Sequence, residues 1–204
     1  MRVVGGQTWD PPADPPEWLL EEGDPWVLVT CSTDYQGDER LAQTAIEALR
    51  NEPIRVLVTL ADAHGVADLP RASNARIERF VPHGPVLERA AAVVCHAGMG
   101  IVHKAVAAGV PIIAVPFGRD QPEVGRRVAE SGAGVVLPLN RLSPERLCAS
   151  VREAIALQPG LGALAARFRA AGGADAFADA AEELSNGSSS GSGGGRIVKE
   201  RAIA

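Results

Sequence analysis

Residues 92–116 read AVVCHAGMGIVHKAVAAGVPIIAVP, and this run outlines a strand, a turn, a helix and a second strand. The first part, residues 92–96, is continuously apolar, which predicts a strand buried on both faces. A glycine-rich turn follows. Residues 101–108 then have helical spacing and end at Gly109, a residue type that favours the position after a helix. The apolar residues 111–116 predict the next strand, so the run is typical of a βαβ unit with parallel strands.

The same alternation continues on both sides of this unit. An apolar run predicts a strand at residues 26–31, and further strands are predicted at residues 54–60, 76–81 and 134–137. Helical spacing predicts helices at residues 38–50, 121–131, 161–171 and 175–184, and Ser143-Pro144 has the residue types that begin another. We therefore predict an α/β fold, a doubly wound, mostly parallel six-stranded Rossmann-like sheet with C-terminal helices. Such sheets bind ligands at the carboxyl ends of their strands.

The two ends of the chain differ in composition from the part between them. Residues 1–20 contain four prolines within six residues, which predicts an extended linker or a strap over a surface. Residues 21–184 form the predicted globular domain. Residues 185–204 begin with SNGSSSGSGGG, which predicts a flexible linker, and end with the short tail RIVKERAIA. The tail is either an engineered addition or a natural segment that docks on a partner domain.

Composition and charge argue against several classes of function. The formal net charge is −5 and no stripe of Lys or Arg stands out, so we expect no nucleic-acid partner. No apolar run is long enough to span a bilayer, and we recognise no signal peptide. The three cysteines lack CxxC spacing, which disfavours a zinc site or a disulfide scaffold and favours a reducing, cytoplasmic compartment. We expect no metal and no cofactor.

The turn between the predicted strand and helix is the first candidate for ligand binding. Amides at the start of a helix lack intrahelical partners and carry partial positive charge, which suits a phosphate group. Gly98 and Gly100 would let a ligand approach the backbone closely, and His96 can donate a further hydrogen bond. Similar turns occur in many α/β folds, so the glycines alone are also compatible with a structural role.

Three further elements around this turn make the pattern specific. In chain order the four elements are Phe80-Val81-Pro82-His83, His96-Ala97-Gly98-Met99-Gly100, Gly109-Val110-Pro111 and Asp120-Gln121. Together they resemble the donor-binding signature of the UDP-glycosyltransferase superfamily, family 1 of the glycosyltransferases. The resemblance covers roughly residues 15–184 and is closest to the bacterial macrolide-glycosyltransferase-like branch. It implies the C-terminal, donor-binding half of a two-domain GT-B fold.

The resemblance also implies roles for twelve substrate-binding residues. They are Ser32 and Thr33 beside the phosphates, Phe80, Val81 and His83 around the nucleobase and ribose, His96, Gly98, Met99, Gly100 and Ile101 at the diphosphate, and Asp120 and Gln121 at the sugar. Some have simpler interpretations. Phe80 is also compatible with a core position, His83 with a loop, and the Ser32-Thr33 pair with a turn cap.

Two residues depart from the family pattern. Ile101 stands where the family commonly has Ser or Thr, so it cannot add a hydroxyl to the phosphate. Lys104 stands where plant and animal relatives have a ribose-binding Glu, and an ammonium can only donate hydrogen bonds. A thymidine diphosphate donor, which has no 2′-hydroxyl, is therefore not excluded. Lys104 would lie near the phosphates or in solvent. We interpret Asp34, Asp38 and Glu39 as loop and helix-start acids.

The implied function is to bind a UDP- or TDP-sugar for inverting transfer of a hexose to a small hydroxylated acceptor. In the resembled family, the acceptor pocket and the catalytic base belong to an N-terminal domain. Residues 1–20 contain no histidine and do not match that domain, so we expect no catalytic residue here and no useful transfer without it.

Two alternatives remain open. One is half of a nucleotide-sugar epimerase or N-acetylglucosaminyltransferase of the same architecture. The other is a stand-alone or engineered nucleotide-binding half-domain without catalysis. A dehydrogenase is disfavoured, because no acidic residue follows a complete dinucleotide fingerprint at the required distance.

Overall fold

A computed structural model describes residues 4–34, 36–60 and 69–188. Within these ranges lie six strands, β1 (Trp26–Thr30), β2 (Arg55–Thr59), β3 (Ala75–Glu78), β4 (Ala90–Cys95), β5 (Ile112–Ala114) and β6 (Gly134–Val136). Eight helices accompany them, α1 (Glu17–Leu20), α2 (Glu39–Leu49), α3 (His83–Leu87), α4 (Met99–Ala108), α5 (Gln121–Glu130), α6 (Pro144–Leu157), α7 (Leu161–Ala170) and α8 (Gly173–Ser188). The predicted alternation of strands and helices is confirmed.

The six strands form one parallel sheet in the order β3-β2-β1-β4-β5-β6. The chain builds outward from β1 to β3, crosses back to β4 beside β1, and then builds outward in the other direction. This confirms the predicted doubly wound class. The strand order reverses between β1 and β4, where a crevice opens at the carboxyl ends of the strands. In that position Thr30 pairs with Cys95.

The sheet is buried on both faces, which explains its continuous apolar runs. Successive residues of β1 point to opposite sides, so Val27 and Val29 pack with α2 and α6. Leu28 faces the other way and packs with α3, α4 and α5. Each such fully buried aliphatic side chain stabilises the fold by about 1.5–3 kcal/mol relative to an exposed one.

Local sequence signals explain the end of α4 and the start of α6. Gly109 adopts φ +72° after α4, the left-handed conformation that glycine accepts most easily. Ser143 begins α6, and its hydroxyl accepts a hydrogen bond from the Arg146 amide. Two short helices, α1 and α3, had not been predicted, and α8 continues to Ser188, four residues beyond the predicted domain boundary at residue 184.

The proline-rich segment lies extended over the surface of the sheet's helical layer, and we call residues 5–16 the strap. A Cβ atom at Gly5 would lie 2.7 Å from the Ala171 Cβ, and one at Gly6 would lie 2.5 Å from the Phe168 ring, so this end of the strap touches α7 closely. After the strap, Leu19 of α1 is fully buried in the core. The strap is therefore held at both ends.

The predicted linker and tail lie outside the described residues from residue 189 onward. In the part of the chain that the structure does describe, no helix combines the length and the apolar character that crossing a bilayer requires.

Candidate functional site

The β4–α4 turn faces the crevice where the strand order reverses. Ala97 adopts φ +67°, a conformation uncommon for a residue with a side chain, and it is fully buried. The first intrahelical hydrogen bond of α4 runs from the Val102 amide to the Gly98 carbonyl. The amides of Met99, Gly100 and Ile101 therefore have no acceptor within the helix, which is the arrangement that binds phosphate in other folds.

His96 lies directly over the start of this helix. A Cβ atom at Gly98 would fall 2.3 Å from the His96 Nε2 atom, so the ring requires a glycine beneath it. Burial lowers the pKa of His96, while the Asp38 carboxylate and the Thr30 carbonyl oppose that shift. The imidazole is thus neutral at pH 7 and has a hydrogen on one ring nitrogen only, and its Nδ1 side faces the acceptors Asp38 and Thr30. The two glycine positions differ, because a Cβ at Gly100 would meet nothing within 4 Å.

Asp38 requires a correction to its interpretation as a helix-start acid. It stands just before α2, but its side chain makes no capping hydrogen bond to that helix. Instead the carboxylate is fully buried, accepts a 2.5 Å hydrogen bond from the Ser32 amide, and lies 3.9 Å from the His96 Nδ1 atom. A tertiary contact turns the carboxylate away from the helix, since the β1–α2 loop folds back over the end of β4. Asp38 therefore connects the loop after β1 to the turn after β4.

The two hydroxyl residues after β1 lie in different environments. Ser32 is buried, and its Oγ atom accepts a hydrogen bond from the Asp34 amide at 3.3 Å. This contact matches the turn-cap interpretation of Ser32. Thr33 is exposed and lines a cleft of about 350 Å³ at the ends of β1 and β2.

Three of the residues predicted for the nucleobase line this cleft. Phe80 is 69% exposed, Val81 is buried beneath it, and His83 follows. Phe80 is therefore not a core residue. The remaining lining residues are Trp9, Asp10, Pro11, Thr30, Cys31, Thr59, Leu60, Arg79 and Lys104. Thr30 also neighbours His96, so this part of the cleft wall lies close to the β4–α4 turn.

His83 is part of a helix and not of a loop. Its Nε2 atom lies 3.2 Å from the Thr59 hydroxyl, at the end of β2. Burial and the nearby Lys104 ammonium lower the pKa of His83 to about 4, although Asp10 opposes them. His83 is consequently neutral at pH 7.

The strap closes one side of the cleft through Asp10. Its Oδ1 atom accepts hydrogen bonds from the His83 amide at 3.2 Å and the Lys104 ammonium at 2.6 Å, and its Oδ2 atom accepts one from the Gly84 amide at 3.1 Å. Lys104 is thus not free in solvent, because it pairs with the strap. No local pattern surrounds Asp10 or its neighbour Trp9, so sequence reasoning missed both.

The loop between β5 and α5 borders the turn on its other side. Asp120 is exposed and acts electrostatically on His96, which shows that the two are neighbours. Gln121 is buried, and its Oε1 atom accepts hydrogen bonds from the Phe117 amide at 2.7 Å and the Gly118 amide at 3.1 Å. Its Nε2 atom donates to Gln36 at 2.8 Å. The Gln121 amide therefore holds the loop.

Two of the predicted residues that have side chains, Met99 and Ile101, direct those side chains away from the turn. The Met99 side chain points into an apolar groove between α4 and α5, and that of Ile101 is buried in the core. Their amides remain at the turn. Among residues 4–34, 36–60 and 69–188, no three His, Cys, Asp or Glu side chains are grouped so that they could hold a metal ion.

Comparison with known proteins identifies the family. The sequence profile described as "Erythromycin biosynthesis protein CIII-like, C-terminal domain" matches residues 44–182. The chain is 38% identical over 173 residues to 4'-demethylrebeccamycin synthase of Lentzea aerocolonigenes, covering 83% of this chain and 40% of that protein. It is 32% identical over 168 residues to demethyllactenocin mycarosyltransferase of Streptomyces fradiae, covering 80% of this chain and 36% of that protein. It thus spans two fifths or less of these relatives.

Solved structures agree with the sequence matches. The calicheamicin glycosyltransferase CalG4 superposes with a TM-score of 0.77 at 26% identity, covering 91% of this chain and 46% of that one. The glycosyltransferase VinC in complex with dTDP superposes with a TM-score of 0.70 at 28% identity, covering 87% and 45%. The predicted resemblance to the macrolide branch is confirmed, and the sheet matches the C-terminal domains of GT-B enzymes. This chain therefore belongs to the glycosyltransferase family of erythromycin biosynthesis protein CIII-like C-terminal domains.

Proposed function

We propose that this chain binds the nucleotide-sugar donor for transfer of a hexose from a UDP- or TDP-sugar to a small hydroxylated acceptor. One observation carries the proposal. The His96 Nε2 atom and the unpaired amides of α4 converge at the point where the strand order reverses, between the Phe80 cleft and Asp120. The nucleoside would occupy the cleft, the diphosphate the turn, and the sugar the space beside Asp120. The dTDP complex of VinC supports a nucleotide ligand.

The proposed chemical contribution is to stabilise the leaving diphosphate. When the bond to the sugar breaks, negative charge grows on the phosphate oxygen, and preorganised donors lower the energy of that state. The α4 amides supply such donors, and the His96 Nε2 atom adds one when the negative charge of the bound diphosphate and the Asp38 carboxylate keep the ring protonated. Asp120 can accept a hydrogen bond from a sugar hydroxyl, whereas Gln121 keeps the loop that carries Asp120 in place.

We also propose that residues 21–184 form the donor-binding unit, and that the acceptor site and the general base come from a second, N-terminal domain. The histidines of the described residues support this. His83 and His96 belong to the donor site, and the His103 ring packs on Phe168 with 5.4 Å between ring centroids. His64 lies outside the described residues.

Calorimetric titration of the chain with UDP and TDP tests donor binding. His96→Ala should weaken binding by about 1.5–3 kcal/mol, the usual size for a hydrogen bond to a charged group. Arg146→Ala is the matched control, since it removes an exposed side chain of α6 outside the cleft and should bind like the wild type. Unchanged affinity of a folded His96→Ala protein would refute the assignment of the diphosphate to the turn.

Turnover assays with UDP- and TDP-glucose test the need for a second domain. The chain alone should at most hydrolyse the donor slowly, because general-base assistance alone typically contributes about 10²–10⁴-fold. Addition of an N-terminal domain from a relative should restore transfer to phenolic or macrolide acceptors. Rapid glycoside formation by the chain alone would contradict the proposal, and binding without transfer under all conditions would favour a nucleotide-binding half-domain.

A further inference from the structure

The strap places a tryptophan at the mouth of the cleft. Trp9 is 74% exposed, although it is the immediate neighbour of Asp10, the most firmly bound residue of the strap. Its ring lines the cleft together with Phe80, which is 69% exposed. Two large aromatic side chains left open to solvent at one cleft are an exception to the usual burial of such residues.

The contacts of the strap show that this placement is built into the fold. Asp10 is bound by two backbone amides at the start of α3 and by the Lys104 ammonium at 2.6 Å. Further upstream, Gly5 and Gly6 approach α7 so closely that neither has room for a Cβ atom. With anchors before and after it, Trp9 has little freedom to leave the cleft.

We propose that the strap is part of the donor site, and that Trp9 forms a second aromatic wall on which the nucleobase stacks. This inference rests on the proposed donor-binding function. A nucleoside fits the cleft because the lining is mainly apolar, the volume is about 350 Å³, and Thr30 in the lining neighbours His96 at the turn proposed for the diphosphate. Trp9 contacts the ligand, and Asp10 and Lys104 are positioning residues.

Titration of the full chain with UDP separates a stacking role from a structural one. Base–aromatic stacking is large enough that Trp9→Ala should weaken UDP binding about 5- to 50-fold. Trp9→Phe should retain most of the affinity. Phe177→Ala, which removes an aromatic ring that is 54% exposed on α8, is the matched control and should bind UDP like the wild type. Inorganic pyrophosphate, which lacks a base, should bind the Trp9→Ala variant as it binds the wild type.

Fluorescence gives a second readout. Trp18 and Trp26 contact each other edge to face and Trp26 is buried, so UDP should change mainly the emission of Trp9. The Trp9→Phe variant should therefore bind UDP, but its tryptophan emission should change little when UDP is added. Asp10→Asn and Lys104→Met should each weaken UDP binding, and neither should add to the loss in a Trp9→Ala background, because they act through Trp9.

The outcomes distinguish this inference from the proposed function. If the wild type binds UDP and Trp9→Ala binds it equally well, the strap has no part in the site, although donor binding stands. An equal loss of UDP and pyrophosphate in Trp9→Ala would also overturn the stacking role. If the wild type binds neither UDP nor TDP, the proposed function fails and the inference fails with it.

Discussion

The β4–α4 turn and the strap lie at the same edge of the sheet, and they are held there in different ways. In the turn, His96 covers Gly98 two residues later, and the unpaired amides of the helix follow at once. The strap depends on Asp10, whose three partners lie 73, 74 and 94 residues further along the chain. A short motif is enough to encode the turn. The wall formed by the strap exists only when the sheet has folded.

The largest expected effect is a pH-dependent loss of stability caused by His83, which lies beside the strap. The folded protein keeps His83 neutral down to a pKa of about 4, whereas the ordinary value of 6.5 applies to the unfolded chain. Between these values the unfolded chain binds the additional proton, so the free energy of unfolding falls as the pH is lowered. At about 1.4 kcal/mol per pKa unit, the full cost below pH 4 is about 3 kcal/mol.

Urea unfolding of the wild type and His83→Gln between pH 8 and pH 4 measures this effect. At pH 8 the two proteins should differ only by the constant cost of the lost Thr59 contact. Toward pH 4 the stability of the wild type should fall more steeply, so the curves converge or cross. Parallel curves would mean that His83 is not shielded from protonation by the strap and α3.

The sequence predicted the strand and the helix on either side of the turn well, for a physical reason. Buried parallel strands are continuously apolar, so their bounds follow from composition, and Gly109 marks the end of α4 through its left-handed conformation. The order of strands along the chain then implies the reversal point. Gly98, which leaves room for the His96 ring over the helix, lies two residues from it, whereas the Nδ1 side of the ring faces the distant Asp38.

The remaining features depend on contacts between distant residues. Helix α3 escaped prediction because its sequence, HGPVL, contains Gly84 and Pro85, which usually indicate a loop. Asp10 accepts hydrogen bonds from the amides at the start of α3, and no local sequence pattern predicts that contact. Asp38 was assigned to the helix that it precedes, although its carboxylate faces Ser32 and His96.

The next largest expected effect is the loss of stability when Gln121 is changed. It distinguishes Gln121 from Asp120, its neighbour in the loop between β5 and α5. Gln121→Ala would leave the Phe117 and Gly118 amides without their acceptor, and should lower the free energy of unfolding by about 2–3 kcal/mol. Because the loop then moves as a whole, UDP and UDP-glucose should lose affinity equally. Asp120→Ala, at an exposed position, should leave stability unchanged and weaken only UDP-glucose. Gln121→Glu keeps an acceptor for both amides and should recover most of the stability. A selective loss of UDP-glucose in Gln121→Ala would instead assign that residue to the sugar.

The smallest effects come from two glycines of the turn, and they test whether the motif acts on the fold or on the ligand. An alanine at residue 98 would place its Cβ 2.3 Å from the His96 Nε2 atom, so the ring must move away. We expect Gly98→Ala to weaken UDP binding about tenfold, as much as removal of one charged hydrogen bond, with a loss of stability near 1 kcal/mol.

Gly100 has no such neighbour, because a Cβ there meets nothing within 4 Å. It also lies inside the first turn of α4, where glycine stabilises a helix less than alanine does. Gly100→Ala should therefore raise the free energy of unfolding by about 0.5–1 kcal/mol. If the diphosphate binds against the bare backbone, the added methyl group should lower UDP affinity in the same variant. If Gly100 is needed for ligand binding, urea unfolding should show a gain in stability and calorimetry should show a loss of UDP affinity. A variant that gains stability and binds UDP fully would show that the ligand does not approach this residue, and the turn would then rest on His96 and Gly98 alone.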